Sequence, residues 1–151
     1  MEWKMNHPIV YPTVDCAIFQ DKSLDVIYLA RKPNQTKWRF VGGFVDPQDY
    51  SYADAAHREA FEETGVICTI LDYVTSQKVD DPRYRDKDDK IITTLFAMIP
   101  NSPDMVPTPK DDISDIKAFK FTDVKYDMLV DEHQSLFSIL RAWRTIKLRE
   151  M

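Results

Sequence analysis

Three glutamates carry the first chemistry that this sequence offers. Glu59, Glu62 and Glu63 lie in the run YADAAHREAFEETGV, where Ala53, Ala55, Ala56, Ala60 and Phe61 sit among charged neighbours and predict a single helix. Gly65 stands where a helix C-terminus favours glycine. With 3.6 residues per turn, the three carboxylates share an arc of roughly 100° on one helix face. Carboxylates held that close repel one another by more than helix propensity repays. A hard divalent cation takes such a set of oxygens, and Mg²⁺ combines a few carboxylates with water and substrate phosphates. The spacing E-x-x-E-E also describes an ordinary solvated acidic face, so the surrounding residues must decide.

Those surroundings are Gly42-Gly43, a Pro- and Asp-rich loop, and the nine residues Arg58-Glu59-Ala60-Phe61-Glu62-Glu63-Thr64-Gly65-Val66. The nine resemble the second half of the Nudix box, R-E-U-x-E-E-x-G-U with U apolar. Gly43 matches the opening glycine of the box. Asp49 stands where the family usually has Glu, and one extra residue separates it from Arg58. A locally remodelled loop is expected there, the longer chain compensating for the shorter acid. The resemblance implies Glu59 and Glu63 as primary ligands of Mg²⁺ or Mn²⁺, Glu62 as a further ligand, and the Gly42 carbonyl as a ligand beside them. It implies Arg58 turning back onto Asp49, with Asp46 or Asp54 as alternative partners, and it makes Arg58, Glu59, Glu62 and Glu63 the catalytic set. The implied reaction is attack of a metal-activated water on a diphosphate. Relatives differ in where the general base sits. Glu59 and the late-loop acids Asp111, Asp112 and Asp115 all stay open as candidates.

A second stretch, DDPRYRDKDDKIITTLF over residues 80–96, is similar to the D-P-R-x-R segment of ADP-ribose-cleaving Nudix domains. It implies Arg83 and Arg85 as substrate contacts, since a guanidinium fork matches phosphate oxygens. Arg31-Lys32 ends a strand before Pro33, and in this family a basic residue at that place often lies beside the substrate phosphates; Arg31 is the residue implied as a substrate contact. Phe19, Phe44 and Tyr84 are the aromatics considered for adenine stacking. The substrate this implies is ADP-ribose, cleaved to AMP and ribose 5-phosphate. A dinucleoside polyphosphate, FAD or a nucleotide sugar is the alternative. A non-catalytic Nudix-fold binding module is a reading of a different class. All three box glutamates are retained, and 151 residues leave no room for an added DNA-binding domain.

A length of 151 residues predicts one domain, 1–151, with a sizeable core. An apolar share of 44% rules out general disorder. A net charge of −5 argues against nucleic-acid polymers and anionic membranes as partners. With no leader and no apolar run near membrane-spanning length, a cytoplasmic protein is expected. Cys16 and Cys68 lie in apolar runs and read as buried thiols.

Strands are predicted at residues 13–19, 25–31, 37–41, 66–78, 91–99 and 116–122, the fifth being central. A C-terminal helix carries Leu136, Phe137, Leu140, Trp143 and Ile146 on one face, with Asp131 placed as its cap. His133 reads as a packing or capping residue. Residues 1–12 form an edge strand or an arm able to swap in a homodimer. The fold class is α/β, and the resemblance makes it the Nudix α/β/α sandwich with a mixed sheet.

Overall fold

The computed structural model describes residues 7–151. Six strands and two helices follow in the order β1 (Val10–Phe19), β2 (Val26–Arg31), β3 (Val41–Phe44), α1 (Tyr52–Thr64), β4 (Cys68–Val79), β5 (Lys90–Pro100), β6 (Asp115–Lys120) and α2 (Asp131–Arg149). The sheet order is β4-β5-β1-β2-β6, with β3 also paired to β1. β1 and β5 run parallel, and the other pairs are antiparallel. The sheet is therefore mixed, with β5 and β1 at its centre.

Side chains alternate across a strand, and both faces of this sheet are covered. On β1, Val14, Cys16 and Ile18 join the cluster that contains Ala55, Ala56 and Ala60 of α1. Ala17 and Phe19 join the opposite cluster, with Leu136, Phe137 and Leu140 of α2. Helix, sheet and helix make the α/β/α sandwich. α1 meets the sheet through alanines, and such small side chains let it approach the strands closely. Cys16 and Cys68 are buried free thiols, one on each of two strands.

Several expectations require correction. The first strand starts at Val10, so it takes in part of residues 1–12; the first six of these lie outside the described residues, and with them half of the expected swapping arm. Residues 37–41 are not the strand that feeds a glycine loop. Trp38 and Arg39 make single bridges to Leu129 and Ala30, and the glycines themselves belong to β3. Asp131 does not cap α2: it is the first helical residue, after Val130, and the helix start has no side-chain cap. Ile146 is exposed, although Trp143 and Lys147 beside it on α2 reach Asp72 of β4.

Candidate functional site

α1 is fixed at both ends. Ser51 is its N-cap and accepts from the Asp54 N–H at 3.0 Å. At the other end Gly65 adopts φ 72° and donates to the Phe61 carbonyl at 2.8 Å. The loop of residues 101–114 docks onto that end. Thr108 N–H donates to the Thr64 carbonyl at 2.9 Å, and Lys110 N–H to the Glu63 carbonyl at 3.0 Å. These carbonyls have no partner within the helix, so the loop supplies one. The docking carries Asp111 and Asp112 to the carboxylates of α1. Asp111 has φ 56°, a left-handed conformation that Asp tolerates better than most residues.

The two glycines work by close approach, since neither has positive φ. A Cβ on Gly42 would fall 2.1 Å from the Val14 carbonyl oxygen, and one on Gly43 would fall 2.5 Å from Glu59 Oε2. Glu63 Oε1 accepts from the Gly42 N–H at 2.7 Å. Burial pushes the Glu63 carboxyl up to about 8 against that hydrogen bond, and contact with Asp112 and the nearby Glu59 push the same way. Burial also raises Glu59, outweighing the pull of Arg58. In Asp112, burial opposes ionisation, but Glu63 and Lys32 outweigh it and hold this carboxyl below the ordinary range.

Arg58 pairs in bidentate fashion with Asp49, through Nε–Oδ1 at 2.9 Å and Nη2–Oδ2 at 2.8 Å. That contact lowers the Asp49 carboxyl to about 2. The extra residue in the box leaves the clamp intact, and neither Asp46 nor Asp54 takes its place. Arg58 also reaches Glu59 at 2.7 Å and Glu62 at 3.2 Å. Glu59 and Glu62 are thus turned toward an arginine. Among the described residues, no three acidic, His or Cys side chains are gathered as a ready-made cation cage.

A cavity of about 280 Å³ opens at this place. Its lining includes Gly42, Glu59, Glu63, Asp111, Asp112 and Lys32, together with Asp81, Arg83, Glu132, His133, Arg39 and Phe44. Of the residues expected from sequence, this brings together Gly42, Glu59, Glu63, Phe44, Arg83, Asp111 and Asp112. Glu62 is on the exposed side of α1, held by Arg58. Arg31 is outside the cavity, ion-paired with Asp115 at 2.6 Å and lying over the Trp38 ring, so neither it nor Asp115 faces the glutamates. Its neighbour Lys32, just past the end of β2, lines the wall instead and lies 3.5 Å from Asp112. Arg85 pairs with Asp80 away from the cavity. Phe19 is fully buried against Phe121 and has no face to offer a base. Tyr84 packs on Tyr11 with ring centroids 5.6 Å apart.

Sequence reasoning gave no site role to Arg39, Asp81, Glu132 or Asp15, and of the Arg31-Lys32 pair it singled out Arg31. Asp15 did carry a signal, as the lone acid in an apolar strand. Its Oδ2 accepts from the Thr93 hydroxyl at 2.6 Å, and its Oδ1 lies 3.3 Å from His133 Nε2. His133 Nδ1 accepts from the Phe40 N–H at 3.1 Å, which leaves the ring proton on Nε2, facing Asp15. Burial opposes ionisation of Asp15, but His133, Thr93 and Arg39 outweigh it and hold the carboxyl below its ordinary range.

The NUDIX domain model matches residues 11–140, a span that holds the glycines, the box helix and the first half of α2. The chain belongs to the Nudix family. Comparison with curated proteins gives no significant match. Among solved structures, this Nudix chain is similar to the NUDIX domain of Shewanella oneidensis NrtR complexed with ADP ribose, at 21% identity over 94% of this chain and 96% of that one, with TM-score 0.67. It is similar to the E. coli ORF135 protein at 23% identity, over 91% and 92% of the two chains, also with TM-score 0.67. A UDP-X diphosphatase matches at 18% identity and TM-score 0.67; the match covers 93% of this Nudix chain and 64% of that chain. Nudix hydrolases generally use divalent metal ions. Among the described residues, no helix is long and apolar enough to cross a membrane.

Proposed function

We propose that this chain, folded as one domain over residues 1–151, hydrolyses the diphosphate linkage of a nucleoside diphosphate derivative, with ADP-ribose as the preferred substrate and AMP and ribose 5-phosphate as products. The observation that carries the reading is the acidic part of the cavity, where Glu59, Glu63, Asp111 and Asp112 meet the backbone of Gly42-Gly43. Glu63 is buried and Glu59 half-buried, with the exposed Asp111 and Asp112 beside them; Arg58 and Lys32 meet part of that charge, and a divalent cation fits as the further counter-charge. Glu59, Glu63 and the Gly42 carbonyl are the residues that would hold it, with Glu62 available to a further ion. Bound there, Mg²⁺ or Mn²⁺ supplies a water of lowered pKa and neutralises charge on phosphate oxygens.

The chain's own residues do the rest. Arg58 and Asp49 clamp the box loop to α1 and so keep Glu59 against Gly43. Asp111 and Asp112 face the cavity from a loop pinned to the end of α1, and either carboxylate can accept the proton of the attacking water. Phe44, 41% exposed at the rim, offers a ring face to a nucleobase. ADP-ribose is favoured by the resemblance over residues 80–96 and by the ADP-ribose held by the NrtR domain.

The test is product release from ADP-ribose, diadenosine polyphosphates, FAD, NADH and UDP-glucose with Mg²⁺, with the natural sequence run beside Glu63→Gln. ADP-ribose should be cleaved fastest, and Glu63→Gln should lower turnover by about 10²-fold or more. Faster cleavage of another panel member would keep the reaction and overturn the substrate. No cleavage of any would favour a binding module.

A further inference from the structure

Residues 38–40 lead into β3 and are held from both sides. Ala30 of β2 exchanges two hydrogen bonds with Arg39, each 2.8 Å. On the other side the Trp38 N–H donates to the Met128 carbonyl at 2.8 Å, and the Val130 N–H to the Trp38 carbonyl at 2.9 Å. These two bonds are the rungs of a parallel bridge between Trp38 and Leu129. Continued by one step, a parallel ladder would pass the Phe40 N–H to the Val130 carbonyl. That carbonyl is already taken, because it accepts from the His133 N–H at 3.0 Å as α2 begins. The His133 side chain supplies the missing acceptor: Nδ1 lies 3.1 Å from the Phe40 nitrogen, with the two rings stacked 5.2 Å apart. One residue thus ends the ladder with its backbone and extends it with its imidazole.

The other ring nitrogen, Nε2, lies 3.3 Å from Asp15 Oδ1, and the Thr93 hydroxyl donates to Asp15 Oδ2 at 2.6 Å. Asp15 stands opposite Gly42 in the pairing of β1 with β3, and its Oδ1 would lie 3.0 Å from a Cβ built on Gly42. Phe40 precedes the same glycine by two residues in the chain. His133 therefore grips Gly42 from two directions, along the strand and across it. The N–H of that glycine donates to Glu63 Oε1 at 2.7 Å. Phe40, Asp15, Thr93 and His133 are all buried, so water is not at hand to replace a lost partner.

We infer that His133 is a positioning residue, which sets the Gly42 peptide against Glu63 in the cavity. Both of its ring nitrogens are spent, so it takes no proton from water or substrate. Its effect on turnover rests on the proposed reaction, whereas its effect on the Gly42 peptide does not.

Two amide variants divide the contacts. The short side chain of His133→Asn keeps an acceptor for the Phe40 N–H, and the longer one of His133→Gln keeps a donor for Asp15. Phe40 lies on the strand of Gly42, while Asp15 retains Thr93 without the imidazole, so the first contact matters more. The Gly42 amide resonance is recorded by NMR in chelator-treated protein, and kcat and KM for ADP-ribose are measured with Mg²⁺. His133→Gln should move that resonance and lower kcat about tenfold or more with KM nearly unchanged, and His133→Asn should restore most of both. Leu140→Ala, a core truncation on the same helix, should destabilise the fold and leave the Gly42 resonance in place. An unmoved resonance in His133→Gln, an equal shift in Leu140→Ala, or a His133→Asn protein as impaired as His133→Gln overturns the inference. A natural protein that cleaves no diphosphate overturns the proposed reaction, and the Gly42 resonance then still decides the inference.

Discussion

At the scale of single residues, Gly42 and Gly43 look interchangeable in sequence and do different things. A methyl on Gly42 meets the Val14 backbone at 2.1 Å, and backbone cannot swing aside. Gly42→Ala should therefore destabilise the protein by about 3 kcal/mol. A methyl on Gly43 meets only the end of the Glu59 side chain, at 2.5 Å. Gly43→Ala should stay within about 1 kcal/mol of the natural sequence in urea unfolding, yet lose about 10²-fold in turnover because Glu59 is pushed off its position. Equal stability losses in the two variants would refute this division. The box residues were legible because their spacing is contiguous and each step maps onto one helix face. Arg39, Lys32, Asp81 and Glu132 were not, because each comes from a different element and only the folded sheet brings them to one wall. Arg31 was misread for a related reason: its partners Asp115 and Trp38 come from distant parts of the chain, and only the fold brings them to it.

At the scale of elements, two clamps hold the site. The first ties the box loop to α1 through Arg58 and Asp49. Asp49 has its folded pKa depressed to about 2, so its contribution is present above the ordinary carboxylate range and is lost as pH falls through the folded value. The stability advantage of the natural protein over Asp49→Asn should be steady near neutrality and should narrow from about pH 4 toward about pH 2, as followed by melting temperature. An advantage independent of pH would mean that the clamp acts through packing alone. The second clamp is His133, which joins the first turn of α2 to Asp15 on β1 and to Phe40 ahead of β3. His133→Ala leaves a buried N–H and a buried carboxylate without that partner and should cost about 3 kcal/mol in urea unfolding. The strands and α2 were legible through their periodicity. The start of β3 was not: glycine usually marks a turn, but here its missing side chain admits neighbouring backbone and carboxylate into a flat strand.

At the scale of the whole molecule, the sandwich brings like charges together at one end of the sheet. β3 contributes the glycines, α1 the glutamates, and the docked loop of residues 101–114 brings two aspartates to them. The α1-side core of Val14, Cys16, Ile18 and the three helix alanines holds these pieces in place whether or not their charges are neutralised. Hydrophobic burial therefore sustains an arrangement that electrostatics opposes, and the difference is available to any ligand that supplies positive charge. A cation at about 100 times its Kd stabilises the folded state by about 2.7 kcal/mol, a rise of roughly 5–10 °C in Tm for a chain of this size. Mg²⁺ added to chelator-treated protein should give such a rise. Glu63→Gln removes one of the buried acids, so it should melt higher than the natural protein in chelator and gain less from Mg²⁺. The two effects have opposite signs in one variant, which separates loss of a cation site from ordinary destabilisation. A Glu63→Gln protein that melts lower in chelator and gains as much from Mg²⁺ would show that these carboxylates neither strain the fold nor hold the ion.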